Sequence, residues 1–331
     1  MQIKAYNYNL DFIKGVACIF VVFLHCEFPG IFGIAVQAIS RWCVPFFFMV
    51  SGYYCYKETP TDLSQRKRKA KHIFKITVNA SLFYILFAFL QFLIWGDVSL
   101  NFSSRDVIAF LIFNQMFIIV SQMWFLFALL YVYILYMFVG ETEFYRRNSH
   151  IISLICLGLY VVLAQGLHIA GLHVPNFLYK NWLIEGMGFF SLGYAIHKYY
   201  KSVSISDSRL LLIFFLSTFL SLVERFLLGR DFGVNICSIP QVLALFFYGI
   251  KNSNMHKGIL QELGKCCSMF VYILHPFVWH SLERVYKALN ISDDILALYL
   301  MPVIVLALTI LFSIVCYKIQ SKINTQKVIH A

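Results

Sequence analysis

The chain has 331 residues, of which 60% are hydrophobic and only 13% charged. Soluble globular chains are nearer half apolar and a quarter charged, so an ordinary soluble domain is excluded and a polytopic membrane protein indicated. The net charge of +11 does not make nucleic acid an expected partner, because the basic residues sit in short blocks between apolar runs, the pattern of a membrane's inner face.

A hydrocarbon core of about 30 Å takes roughly 20 apolar residues per helix. Ten runs qualify, at 9–28, 31–56, 72–96, 123–140, 151–171, 182–199, 209–228, 235–250, 267–283 and 295–317. The expected fold is therefore all-α, a polytopic membrane helix bundle of about ten spans in a single domain, 1–331, with no attached soluble domain. The run at 106–120 carries Asn114 and Gln115 and reads as a re-entrant or interfacial helix, or as an extra span. Basic residues mark alternate connections: Lys4; the block from Lys57 to Lys71; Arg146 and Arg147; Lys198, Lys201 and Arg209; Lys251, Lys257 and Lys265; Lys318, Lys322 and Lys327. The connections between them hold only Arg105, Lys180, Arg230, and Arg284 with Lys287. That bias places both termini in the cytoplasm and requires an even number of spans. Lys14 interrupts what would be the apolar part of a cleavable signal, so none is expected. Nine Cys show no metal-type spacing and read as small buried hydrophobes, which gives no metal site.

The first run, LDFIKGVACIFVVFLHC over 10–26, holds a lysine and a histidine among apolar residues. Lys14 and His25 lie three helical turns apart on one face with Cys18 and Val21, roughly 16 Å along the axis. Asp11 precedes Lys14 by three residues and can pair with it. An ionisable side chain at membrane depth is costly and marks a functional site by default. His25 is either a core histidine bonded to a neighbouring helix or a general base, a task that suits imidazole because it titrates near neutral pH. Glu27 lies off its face and reads as a helix-end carboxylate.

The second run carries RWCVPFFFMVSGYY, 41–54. Pro45 should kink it and Ser51-Gly52 permits close approach of another helix. Arg41 either snorkels to an interface or binds an anionic or carbonyl group in a cavity. The block RKRKAKHIFK, 66–75, is a topology determinant that attracts anionic lipid, and alternatively a site for the phosphates of a cytoplasmic donor. Trp124 opens the fourth run as an interfacial aromatic. Glu185 and Glu224 lie in apolar runs and could orient a histidine, bind sugar hydroxyls or pair with Arg41. His275 is a second histidine at membrane depth, its backbone restricted by Pro276. No GxSxG, P-loop, HExxH or dinucleotide fingerprint occurs.

Taken in order, LDFIKGVACIFVVFLH, RWCVPFFFMVSGYY, the basic start of the third run, MWFLFALLYVYI and YILHPFV resemble the acyltransferase 3 family of bacterial integral membrane acyltransferases. The likeness runs from about Leu10 to about Pro276. It implies transfer of an acyl group from cytoplasmic acyl-CoA to a sugar hydroxyl of a surface or exported glycan, in the bacterial cell membrane. Family members carry an Arg and, eleven residues later, a His in the first helix, both implicated in catalysis. Here the His matches as His25, while Lys14 stands at the Arg position, keeping the charge and losing bidentate hydrogen bonding. An Arg-x-x-Arg pattern near the third helix is associated with the donor; this chain offers Arg68-x-x-Lys71 or His72-x-x-Lys75.

The resulting expectation is an O-acetyltransferase with His25 and Lys14 catalytic and with Arg68, Lys71, His72 and Lys75 on the donor. Arg41, Trp124, Glu185, Glu224 and His275 would line the acceptor end. No cofactor is expected beyond acetyl-CoA or another acyl-CoA as donor substrate. Membrane lipid and a polysaccharide or lipid-linked glycan are the other expected partners. A transporter or flippase would share the span count and buried charges but should show related halves, and no such symmetry is visible. A non-catalytic scaffold would tolerate replacement of His25 and Lys14.

Overall fold

The computed structural model describes residues 6–96, 103–116, 121–200, 204–255 and 257–329, with side chains to residue 325. Lys4, Lys201 and the side chain of Lys327 lie outside the described residues. Every regular element among the described residues is helical. The first seven are α1 (Tyr8–His25), α2 (Gly30–Ser40), α3 (Cys43–Tyr53), α4 (Leu63–Trp95), α5 (Ser104–Phe113), α6 (Trp124–Val139) and α7 (Glu143–Val161). They are followed by α8 (Leu167–Ile169), α9 (Met187–Tyr199), α10 (Asp207–Leu228), α11 (Ser238–Lys251), α12 (Ile259–Glu262), α13 (Ser268–Ala288) and α14 (Ile295–Ile329). Three π turns, Val162–Gly166, Trp182–Gly186 and Leu263–Cys267, lead into α8, α9 and α13.

All ten expected runs are helical. Among the described residues, length and composition qualify seven stretches as candidate membrane spans: Tyr8–His25, Gly30–Tyr53, Leu63–Trp95, Ser121–Val139, Glu143–Ile169, Asp207–Leu228 and Ile295–Thr325. The other three fall short for physical reasons. The run at 182–199 carries Glu185, His197 and Lys198, α11 has only 14 residues, and α13 carries His275, His280, Glu283 and Arg284. With 33 residues, α4 is about 50 Å long, so its basic first turns extend past a hydrocarbon core of about 30 Å.

The run at 106–120 forms only the ten-residue α5, about 15 Å long and too short to cross; residues 117–120 lie outside the described residues. The helix starts with a reciprocal cap in which Ser103 receives the Asp106 N–H and its own N–H and hydroxyl bond the Asp106 carboxylate. Those bonds hold the Asp106 carboxyl below its ordinary range. At the other end Asn114 adopts φ 51°, a left-handed stop open to asparagine. The second run breaks at Arg41–Trp42, four residues before the expected kink, because Pro45 has no N–H for the Arg41 carbonyl and its ring crowds that group.

The chain forms two compact units. The first comprises Met1–Cys43, Ser206–Gly229 and Asn235–Ala331. Here α1 runs parallel to the stretch from α12 through α13. Gly15 and Gly264 bring the two backbones into contact: a Cβ on Gly15 would strike the Leu260 carbonyl, and one on Gly264 the Asp11 carbonyl. Farther along, Cys18 Sγ lies 3.9 Å from the Ser268 carbonyl, and the His25 and His275 rings face each other. From Gly15 to Cys18 is three residues, whereas Gly264 to Ser268 is four; beyond that point seven residues on each side lead to the histidines. The π turn at Leu263–Cys267 holds the extra residue and keeps the two helices in step. Elsewhere in this unit, Ser221 Oγ donates to the Ala38 carbonyl at 3.0 Å, Asn235 Nδ2 donates to Ser221 Oγ at 2.7 Å, and Gln241 Nε2 donates to Thr218 Oγ1 at 2.9 Å.

The second unit comprises Val44–Ile205 and Arg230–Val234. Its core joins Val132, Tyr136, Tyr145, Met187, Phe190 and Tyr194. Gly52 meets the Phe190 carbonyl and Gly193 the Met49 carbonyl, so the close approach expected at Ser51-Gly52 is made between α3 and α9. Arg146 ties the α3–α4 connection down: its guanidinium reaches Glu141 at 2.5 Å and the Lys57 and Glu58 carbonyls at 3.0 Å each.

Candidate active site

The first helix is set by local rules. Asn7 caps it, its side chain accepting from the Leu10 N–H at 2.8 Å, and the Cys26 N–H closes it on the Val22 carbonyl at 2.8 Å. His25 is thereby the last residue of α1, half-buried. Lys14, three turns earlier, forms an ion pair with Asp11, which also accepts a hydrogen bond from the Tyr6 hydroxyl. The side chains of Lys14 and Asp11 are 18% and 8% exposed, so the pair is only partly screened by solvent. The pairing expected from the sequence is formed, and about 16 Å of helix separates Lys14 from His25.

His275 completes the C-terminal end of this face. It is 0% exposed, and its ring lies 5.2 Å from that of His25, 23° from parallel. Nδ1 sits 3.1 Å from the Val271 carbonyl. A carbonyl only accepts, so Nδ1 carries the proton and the neutral ring presents Nε2 as a bare acceptor. Among the described residues, no hydrogen-bond partner meets that Nε2. Tyr272 packs at 6.1 Å from the same ring. One turn beyond, His280 Nδ1 lies 3.1 Å from Glu283. The sequence reading passed over that pair, although His280-x-x-Glu283 has the spacing of neighbours on one helix face.

The remaining sequence candidates distribute between the units. In the first, Arg41 is half-buried at the α2–α3 break. Glu224 accepts the N–H groups of Ile236 (2.8 Å) and Cys237 (3.0 Å), holding the approach to α11. In the second, Trp124 and Glu185 occupy one polar region. Lys180 Nζ stands 5.0 Å over the Trp124 ring, and its stem passes Gly233 beside the Tyr160 hydroxyl. Glu185 is 1% exposed on the π turn leading into α9. Asn181 shapes that turn by accepting from Leu183 and Ile184 N–H, both at 2.9 Å.

Along α4, Arg68, Lys71, His72 and Lys75 are all exposed and form one stripe at helical spacing. Two other basic residues of the block turn inward. Arg66 donates to the Met137 carbonyl at 2.7 Å, and Lys69 donates to the Tyr54 carbonyl at 2.8 Å. Sequence reasoning missed these two. The signal was the buried stripe Ala70, Ile73, Thr77, Ala80 and Tyr84, which continues backward at 3.6-residue steps to Arg66.

No group of three or more His, Cys, Asp or Glu side chains suited to a metal ion occurs among the described residues. In the first unit two imidazoles stand together at the end of α1; in the second, α4 carries an exposed cationic face. A family model described as an acyltransferase domain, Acyl_transf_3, matches residues 7–318, nearly the whole chain. No curated protein and no solved structure matches the chain.

Proposed function

The chain belongs to the acyltransferase 3 family, and from that premise we propose that it is a multi-pass membrane O-acyltransferase of the bacterial cell membrane. It moves an acetyl group from cytoplasmic acetyl-CoA to a hydroxyl of a surface or exported glycan. The observation that carries this reading is His25, at the end of α1 and against His275, where the family places its catalytic histidine. His25 takes the proton from the acceptor hydroxyl, the oxygen attacks the thioester carbonyl, and the carbon–sulfur bond breaks to release CoA as its thiolate.

Lys14, held by Asp11 at the N-terminal end of α1, steadies the donor rather than the acceptor, because three helical turns separate it from His25. The exposed stripe Arg68, Lys71, His72 and Lys75 binds the donor phosphates as clustered cations do. Within the unit that holds His25, Arg41 offers the acceptor a cation; in the second unit Trp124 and Glu185 have the aromatic face and carboxylate that suit sugar hydroxyls. The ten helical runs, alternating in basic flanks, support a topology with both termini in the cytoplasm.

The test compares ester content of the surface glycan, by NMR, in wild type, a deletion, and the deletion carrying His25→Ala at matched membrane abundance. Ester is expected to vanish in the deletion and to stay absent with His25→Ala. Restoration by His25→Ala removes the base from the mechanism, and unchanged ester in the deletion removes the glycan acyltransferase itself.

A further inference from the structure

His275 poses a problem that its packing does not solve. A buried polar atom without a partner costs free energy, and native structures leave few of them. Its Nδ1–H is engaged with Val271 and its Nε2 has no partner among the described residues, yet the side chain is 0% exposed. Removal of the ring by an apolar residue would relieve the unmet acceptor, so the ring calls for a partner beyond the described residues. The atom can only accept, which rules out a carboxylate or phosphate oxygen as its partner and selects an O–H or N–H donor. The neighbouring ring at 5.2 Å is His25, so whatever bonds His275 sits within one sugar residue of the reacting hydroxyl.

We infer that His275 is an acceptor-binding residue: its Nε2 accepts a hydrogen bond from a second hydroxyl of the acceptor, adjacent to the one deprotonated by His25. The site accordingly takes a polyol with neighbouring hydroxyls. This rests on the acyltransferase reading and on His25 as its base. A hydroxyl carries one proton and can donate to one acceptor at a time, so two facing imidazoles call for two hydroxyls. Losing one such bond lowers transfer by about tenfold.

Two substitutions separate the ring nitrogens. His275→Asn keeps an N–H near Nδ1 for Val271 and removes the distal acceptor. His275→Gln places an amide oxygen near Nε2 and gives up the proximal bond. Each is expressed in the deletion strain at matched membrane abundance, with elution from size exclusion in detergent as the check on folding. Glycan ester is then quantified and its position mapped by NMR. The expected result is near-normal ester with His275→Gln, about tenfold less with His275→Asn, and ester on a carbon whose neighbour bears a free hydroxyl.

Normal ester with His275→Asn overturns the inference, leaving Nε2 with a water molecule only. Equal losses with both variants overturn it in favour of proton transfer through the ring, and if either elutes as aggregate the mapped position decides. Ester on an isolated hydroxyl also overturns it. In each of these cases His25→Ala still abolishes ester and the parent reading stands. If wild type and deletion carry equal ester, both fall together.

Discussion

Replacing Gly15 by Ala puts the contact between α1 and the π turn under direct strain. The new Cβ would overlap the Leu260 carbonyl oxygen, lie 2.8 Å from its carbon and 3.3 Å from the Gly264 nitrogen. All three obstacles are backbone, so no rotamer change relieves them. Ordinary contact begins at 3.4 Å, which requires the two helices to separate by more than about 1 Å in a core packed to crystal density. Overpacking of this kind costs about 1–3 kcal/mol. A misplacement of about 1 Å at a reacting group costs on the order of 100-fold in rate. The assays are thermal melting in detergent and glycan ester per cell at matched abundance. Gly158→Ala is the control: that residue sits in α7 with nothing within 4 Å of the added carbon, and it should gain about 0.5–1 kcal/mol. The reasoning is refuted if Gly15→Ala melts and acylates like wild type, or if the control is equally damaging.

Asp11→Ala should destabilise by about 1–3 kcal/mol, because it leaves the Lys14 ammonium unpaired. The double variant with Lys14→Ala should recover part of that loss, and a coupling energy near zero in the melting cycle would argue against the pair. On α4, removing Arg68, Lys71, His72 and Lys75 together should leave the melting temperature in place and weaken acyl-CoA binding at least tenfold, about 1.4 kcal/mol, with a steep salt dependence in calorimetry. Arg66→Ala or Lys69→Ala should instead lower stability by about 1–2 kcal/mol, since backbone carbonyls lose their donors. Loss of stability from the outer four with silence from the inner two would reverse the assignment of the two faces.

How much of this was legible in the sequence depended on how far apart the interacting residues lie. Local rules gave α1, the Asp11–Lys14 pair, the helical character of all ten runs and the break caused by Pro45. They also marked α4's apolar run and its basic block, although Arg66 and Lys69 were missed by reading that block as one surface. Contacts across hundreds of residues left no local mark. Nothing near His25 announces His275, 250 positions away, and nothing in NWLIEGMGFF or LSLVERFLLG distinguishes a buried Glu185 from a Glu224 bonded to backbone. The π turns are likewise silent, because one extra residue in a helix changes neither composition nor hydropathy.

That silence has a consequence for how the chain tolerates change in length. A residue deleted within 263–267 restores α-helical closure and turns everything after it by about 100°. The helix keeps its apolar character and every side chain from Ser268 onward. Only the phase is lost, and with it the face that His275 presents to His25. Between these two helices, a gap of one position alters chemistry as surely as replacing a histidine.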